Sequence, residues 1–122
     1  RIRIVERVPQ LEILQRARVF VTHGGASSLR EAIYFGVPTI VLPGWLDQFG
    51  NGARVVHHAL GLRADMATIT PEQMSALLEN IMDERFLQAN AQMQQHFREQ
   101  ESCQAGADFV ESFLLSHTAK EA

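Results

Sequence analysis

Between residues 20 and 48 the chain gathers side chains that could do chemistry: His23, Gly24, Gly25, Ser27, Ser28, Glu31, Asp47 and Gln48. The first five follow a short apolar run, Val19, Phe20 and Val21, and lead into a helical pattern from Leu29 to Phe35 that contains Glu31. That order reads as strand, tight turn, helix. Such a turn leaves the first N–H groups of the helix unpaired and directed outward, with the positive end of the helix dipole behind them. Glycine at 24 and 25 lets a ligand approach the backbone closely. The stretch is therefore an anion site in waiting, and phosphate is the usual anion. His23 ends the strand, at the carboxyl edge where ligands collect in doubly wound sheets. Asp47 and Gln48 follow a second apolar run, residues 39–42, that is stopped by Pro43 and Gly44.

Each of these residues also has a purely structural role open to it. Ser28-x-x-Glu31 is the pattern of a capping box, in which each side chain satisfies a backbone N–H of the first turn. Glu31 cannot serve a cap and a ligand fully at once, whereas Ser28 can. Asp47 is a good N-cap for the helix that follows it. His23 could bond to nearby backbone, and Trp45 could either underlie a ligand or cover the edge of the core.

The landmarks Pro9-Gln10, His23-x-Gly25-x-x-Ser28-x-x-Glu31, Gly36-Val37-Pro38, Pro43 and Asp47-Gln48 stand in a fixed order and spacing. Together they resemble the donor-binding signature of family 1 glycosyltransferases, the nucleotide-sugar-dependent enzymes of GT-B fold. Weaker similarity continues through Asn51, Gly52, Ala53 and Arg54. By its Thr22-His23-Gly24-Gly25 the pattern is most similar to bacterial macrolide- and carotenoid-type members. The resemblance implies that His23 donates a hydrogen bond to the donor's diphosphate and that Ser28 meets a phosphate. It gives Glu31 the ribose hydroxyls and Asp47 and Gln48 the hydroxyls of the transferred sugar. Gly24, Gly25 and Gln10 belong to the same donor site.

Two positions depart from the plant-type pattern. Arg7 stands where those members have the Trp that stacks on uracil, and Ser27 stands where many have Asn. A guanidinium can also stack on a base, and a hydroxyl can replace one amide hydrogen bond but not two. The resemblance thus implies a UDP-sugar donor, with a hexose such as glucose, and a thymidine diphosphate sugar as the alternative. It implies metal-independent chemistry, the helix N-terminus and His23 neutralising the diphosphate.

Composition is consistent with this and excludes other classes. At 122 residues, 46% hydrophobic and 20% charged, the chain is one ordinary globular domain. Its net charge of −3, without a basic run, argues against nucleic acid as a partner. Cys103, the one cysteine, allows no internal disulfide and suits a reducing compartment, the cytoplasm. No apolar run reaches the roughly 18 residues of a membrane span. His57 and His58 are adjacent on a helical pattern and point about 100° apart, so they read as surface rather than as a chelate.

The elements that must position these residues alternate. Residues 2–5 read as a short strand, residues 11–17 as an amphipathic helix, and residues 19–22 as a buried strand. A helix capped by Ser27 or Ser28 runs to Phe35 and stops at Gly36. Residues 39–42 form the next strand, residues 47–60 a helix ended by Gly61, and residues 62–64 a last strand. Thr70, Pro71 and Gln73 open a helix with cap, first-turn proline and third-position glutamine. Its stripe of Met74, Leu77, Leu78 and Ile81 faces the core. Two more helices cover residues 84–100 and 105–116, and residues 117–122 read as a disordered tail.

The expected fold is α/β: a partial Rossmann-like three-layer α/β/α domain with a parallel sheet and C-terminal helices. Residues 1–122 are expected to be the C-terminal part of a GT-B donor domain, cut from a larger protein. On that reading the acceptor, a small or lipophilic molecule, and the catalytic base belong to an N-terminal domain outside this chain. The whole would be an inverting glycosyltransferase. The alternatives are a separate donor-binding subunit of a split two-chain transferase, or a nucleotide-binding module without transfer chemistry. If residues 2–5 are the third strand of a 3-2-1-4-5-6 sheet, residues 19–22 are the fourth. They then carry an open edge on one side and residues 39–42 on the other.

Overall fold

The computed structural model describes residues 1–102 and 104–121, so Cys103 lies outside the described residues. Three short strands, β1 (Phe20–Thr22), β2 (Thr39–Val41) and β3 (Gly61–Arg63), form a parallel sheet in the order β1-β2-β3. Val21 pairs with Ile40, and Ile40 with Leu62. Helix α1 (Gln10–Leu14) precedes the sheet, α2 (Ala26–Phe35) joins β1 to β2, and α3 (Asp47–His57) joins β2 to β3. Helices α4 (Pro71–Asn80), α5 (Glu84–Ser102) and α6 (Ala105–Glu121) follow.

Strand β2 is buried along its whole length, and its side chains alternate between two cores. Val41 packs with Leu29 of α2, Val55 of α3 and Leu60, backed by Ala89 and Met93 of α5. Ile40 and Leu42 point the other way, to Ile81, Phe86 and, at the margin, Met74 and Leu77 of α4. Apolar helices therefore lie on both faces of the sheet, and the expected three-layer α/β/α arrangement is present. Of the α4 stripe, Ile81 is fully buried while Leu78 is exposed.

Local chemistry accounts for most boundaries. Thr70 accepts from the Gln73 N–H, and the Gln73 side chain accepts from the Thr70 N–H, with Pro71 as the first helical residue. Gly36, at φ 67°, ends α2 as expected. The Tyr34 carbonyl in the last turn of α2 accepts from Gln94 Nε2 (2.9 Å) and Arg98 Nε (3.0 Å), which fastens α5 to it.

Four expectations are corrected. Residues 2–5 form no strand: Ile2 and Ile4 are 92% and 93% exposed, and among the described residues no strand lies beside them to complete a ladder. Helix α3 stops at His57, and Ala59 takes the left-handed φ of 53°. Gly61 does not end it but opens β3, because a Cβ there would stand 1.9 Å from the Thr39 carbonyl oxygen. Helix α6 continues to Glu121, through most of the stretch read as a disordered tail.

Candidate functional site

At the carboxyl edge of the sheet, His23, Gly24 and Gly25 stand where β1 releases the chain into α2, and Asp47 and Gln48 where β2 releases it into α3. After β1, Gly24 adopts φ +89° and its N–H donates to Thr22 Oγ1 at 3.2 Å. A Cβ at Gly24 would meet Val41 Cγ1 at 2.6 Å, so the turn is drawn tight against the core. At Gly25 a Cβ would stand 2.7 Å from His23 Nε2, which puts the exposed imidazole directly over the start of α2.

Gly25 itself is the N-cap of α2, and no side chain caps it. The expected serine cap and the Ser28–Glu31 capping box are therefore absent. Ser27 and Ser28 are inside the first turn, and the first-turn N–H groups stay available to a ligand. Gln10 from α1 reaches across instead: its Nε2 donates to Glu31 Oε2 and, at 3.4 Å, to Ser28 Oγ. This contact spans 21 residues of sequence, and the Glu31 carboxylate makes it in place of a cap.

After β2 the chain turns through Pro43, Gly44, Trp45 and Leu46. Leu46, with φ 31°, is the N-cap of α3, so Asp47 is its first residue and not the cap. The Gly44 N–H donates to Gln48 Oε1 at 3.0 Å, which leaves the Gln48 amide hydrogens directed elsewhere. Trp45 is 70% exposed and does not cover the core edge.

A cleft of about 380 Å³ is lined by Gln10, Thr22, His23 and Ser28, with Phe20, Val21, Leu42 and Met66 as apolar wall. Ser27 lies apart from it. With Glu31 it faces a second hollow of about 450 Å³, between α2 and the aromatic ring of Phe97 on α5. Arg7 is exposed on the segment before α1. His57 and His58 are both exposed, their rings edge to face at 4.9 Å.

Three residues were not singled out for the site from the sequence. Asn51 Nδ2 donates both to the Gly24 carbonyl (3.0 Å) and to Asp47 Oδ2 (3.1 Å), joining the two loops. Its place one turn after Asp47 on a helix was the available signal. Thr22 anchors the glycine turn, as a hydroxyl two residues before a turn amide often does. Met66 comes from the loop after β3 and carried no signal.

The erythromycin biosynthesis protein CIII-like C-terminal domain family matches residues 1–108. The chain belongs to this family. NDP-glycosyltransferase YjiC of Bacillus licheniformis is 34% identical over 112 residues, which is 91% of this chain and 28% of that protein. Among solved structures, the glycotransferase of kitacinnamycin superposes with a TM-score of 0.81 at 34% identity, over 87% of this chain and 28% of its own. Glycosyltransferase VinC, solved in complex with DTDP, gives a TM-score of 0.74 at 28% identity, over 79% of this chain and 25% of that one. The chain thus spans little more than a quarter of these relatives. The fold is that of GT-B glycosyltransferases.

Proposed function

We propose that this chain binds the nucleotide-sugar donor of an inverting glycosyltransferase, with a UDP-hexose such as UDP-glucose as donor. The observation that carries the reading is the meeting of two strand ends: His23 over the uncapped start of α2, and Asp47 with Gln48 at the start of α3, tied by Asn51. On this reading the diphosphate lies against the first-turn N–H groups of α2, which act with His23 as its counter-charge without a metal ion. Gly24 and Gly25 shape that turn. Ser28 meets a phosphate and Ser27 gives a weaker contact. Glu31, oriented by Gln10, accepts from the ribose, and Arg7 stacks on the base. Asp47 accepts from one sugar hydroxyl while the Gln48 amide donates to another.

A base outside this chain then takes the proton of the acceptor hydroxyl. The acceptor oxygen bonds to the anomeric carbon as that carbon's bond to the diphosphate oxygen breaks, and the nucleoside diphosphate leaves with the electron pair. The chain's share of catalysis is electrostatic: it stabilises charge that grows on the leaving group. The relative solved with DTDP keeps a thymidine donor as the competing reading.

Titration of the chain with UDP, UDP-glucose and dTDP-glucose, followed at the backbone amides of Gly24, Gly25 and Ser28, tests this. Shifts at these amides with UDP-glucose are the expected result. A folded sample that shows none at millimolar ligand refutes the phosphate site, and a stronger response to dTDP-glucose reassigns the base.

A further inference from the structure

We propose that Asn51 is a positioning residue that couples the phosphate-binding turn to the sugar-binding carboxylate. The proposal rests on the donor-binding reading above and adds to it a device that makes sugar recognition depend on the shape of the glycine turn. The Asn51 amide nitrogen carries two hydrogens and accepts nothing. One goes to the Gly24 carbonyl at 3.0 Å and the other to Asp47 Oδ2 at 3.1 Å. The second bond alone would be an ordinary pair one helical turn apart on α3. The first crosses 27 residues of sequence and joins the α3 start to the turn before α2.

Both partners are atoms whose placement matters. The Gly24 carbonyl belongs to the peptide that leads into Gly25, so fixing it fixes the direction of the first α2 amides. The Gly24 N–H is already held by Thr22 Oγ1 and its Cα lies against Val41, so the Asn51 bond adds a third hold on the turn. At the other end, holding Asp47 Oδ2 leaves Oδ1 to accept from a hydroxyl. With Gln48 Oε1 taken by the Gly44 N–H, the pair offers one acceptor and one donor to the sugar. Aspartate at 51 would turn a donor towards two acceptors into a third acceptor, and alanine would release both loops.

The test is a comparison of sugar increments, the ratio of the dissociation constants for UDP and UDP-glucose, in wild type, Asn51→Ala, Asp47→Ala and the double variant. In Asn51→Ala we expect weaker UDP binding and an increment smaller by about tenfold, the size of a lost hydrogen bond to a charged group. Asp47→Ala should shrink the increment and weaken UDP binding less than Asn51→Ala does, because Asn51 keeps its bond to the Gly24 carbonyl. In the double variant the losses should fall short of their product. An unchanged increment in Asn51→Ala, or losses that multiply, overturns the coupling while leaving donor binding intact. If wild type binds neither ligand, the donor-binding reading falls and this proposal with it. Should Asn51→Ala not fold, Asp47→Ala still decides: cutting the far end of the link must shift the Gly24 and Gly25 amides, and unmoved amides refute it.

Discussion

Gly24 and Gly25 are neighbours with opposite reasons to lack a side chain, and substitution separates them. At Gly24 a methyl group meets Val41 Cγ1 in the core and must adopt φ +89°. Gly24→Ala should therefore destabilise the chain by about 1–3 kcal/mol, the cost of overpacking together with a strained φ. At Gly25 the atoms nearest the methyl belong to the exposed His23 ring, which can swing away. Gly25→Ala should leave the urea midpoint nearly unchanged and weaken binding of UDP, since both the imidazole and the approach to the α2 start are disturbed. Equal losses of stability in the two variants would contradict this division. His23 can be tested by rate in a protein that shows the proposed transfer. On the proposed reading its bond goes to a diphosphate whose charge grows as the glycosidic bond breaks, so His23→Ala should lower kcat by at least about tenfold, the lower end for a charge-assisted bond. Ser27→Ala should cost less, because Ser27 faces the hollow beside Phe97 and not the cleft. Equal small effects would return His23 to a structural role. The candidate residues were legible in the sequence through the family resemblance that their order and spacing carry. Their partners were not: Glu31 is held by Gln10 and Gly24 by Asn51, contacts over 21 and 27 residues that no local pattern reports.

Elements were readable where their ends are closed locally. The α4 start combines Thr70, Pro71 and Gln73 within four positions, and the capping box forms as the pattern dictates. Thr70→Ala should cost about 1 kcal/mol, the usual loss for an N-cap, measured as a fall in the denaturant midpoint. Glu72 in the same turn accepts from its backbone N–H and then from the Thr70 hydroxyl, which holds its carboxyl below the ordinary range. The folded chain thus favours the charged form. The stabilisation is present above the unfolded-state pKa and is lost as pH falls through the lower folded one. A carboxyl titration followed by NMR should find the Glu72 midpoint below that of a free glutamate, and Thr70→Ala should raise it. A midpoint that does not move in the variant would separate the two groups. By contrast the α2 start was misread. Ser28-x-x-Glu31 is a sound local pattern, but the Gly24 turn brings the chain in earlier, with Gly25 as cap, and Gln10 takes the glutamate. The α3 end was misread for a similar reason: Gly61 looked like a helix stop, while the real constraint is the approach of β2.

At the scale of the molecule, the sheet is asymmetric. Alternating apolar runs and helical patterns announced a parallel sheet, and β2 between two helical layers is what that pattern requires. Among the described residues β1 pairs with β2 alone, and Val21 is 42% exposed while its register partner Ile40 is fully buried. The Phe20 N–H donates to the Pro38 carbonyl and the Leu42 N–H to the Thr22 carbonyl, so both bonds lie on the β2 side. A parallel ladder alternates its bonding direction along the strand, which turns the Val21 N–H to the free edge. The apolar segment at residues 2–5, which could have supplied a partner, stands in solvent instead. An unpaired edge of this kind recruits another strand or opens. Hydrogen exchange in the isolated chain should therefore be fastest within the sheet at Val21 and slowest at Ile40, which has strands on both sides. A longer chain that supplies a strand beside β1 should protect Val21 and leave Ile40 as it was. Equal protection of the two amides in a monomer of this chain would mean that the β1 edge is already closed, and a fourth strand would have to be added beside β1.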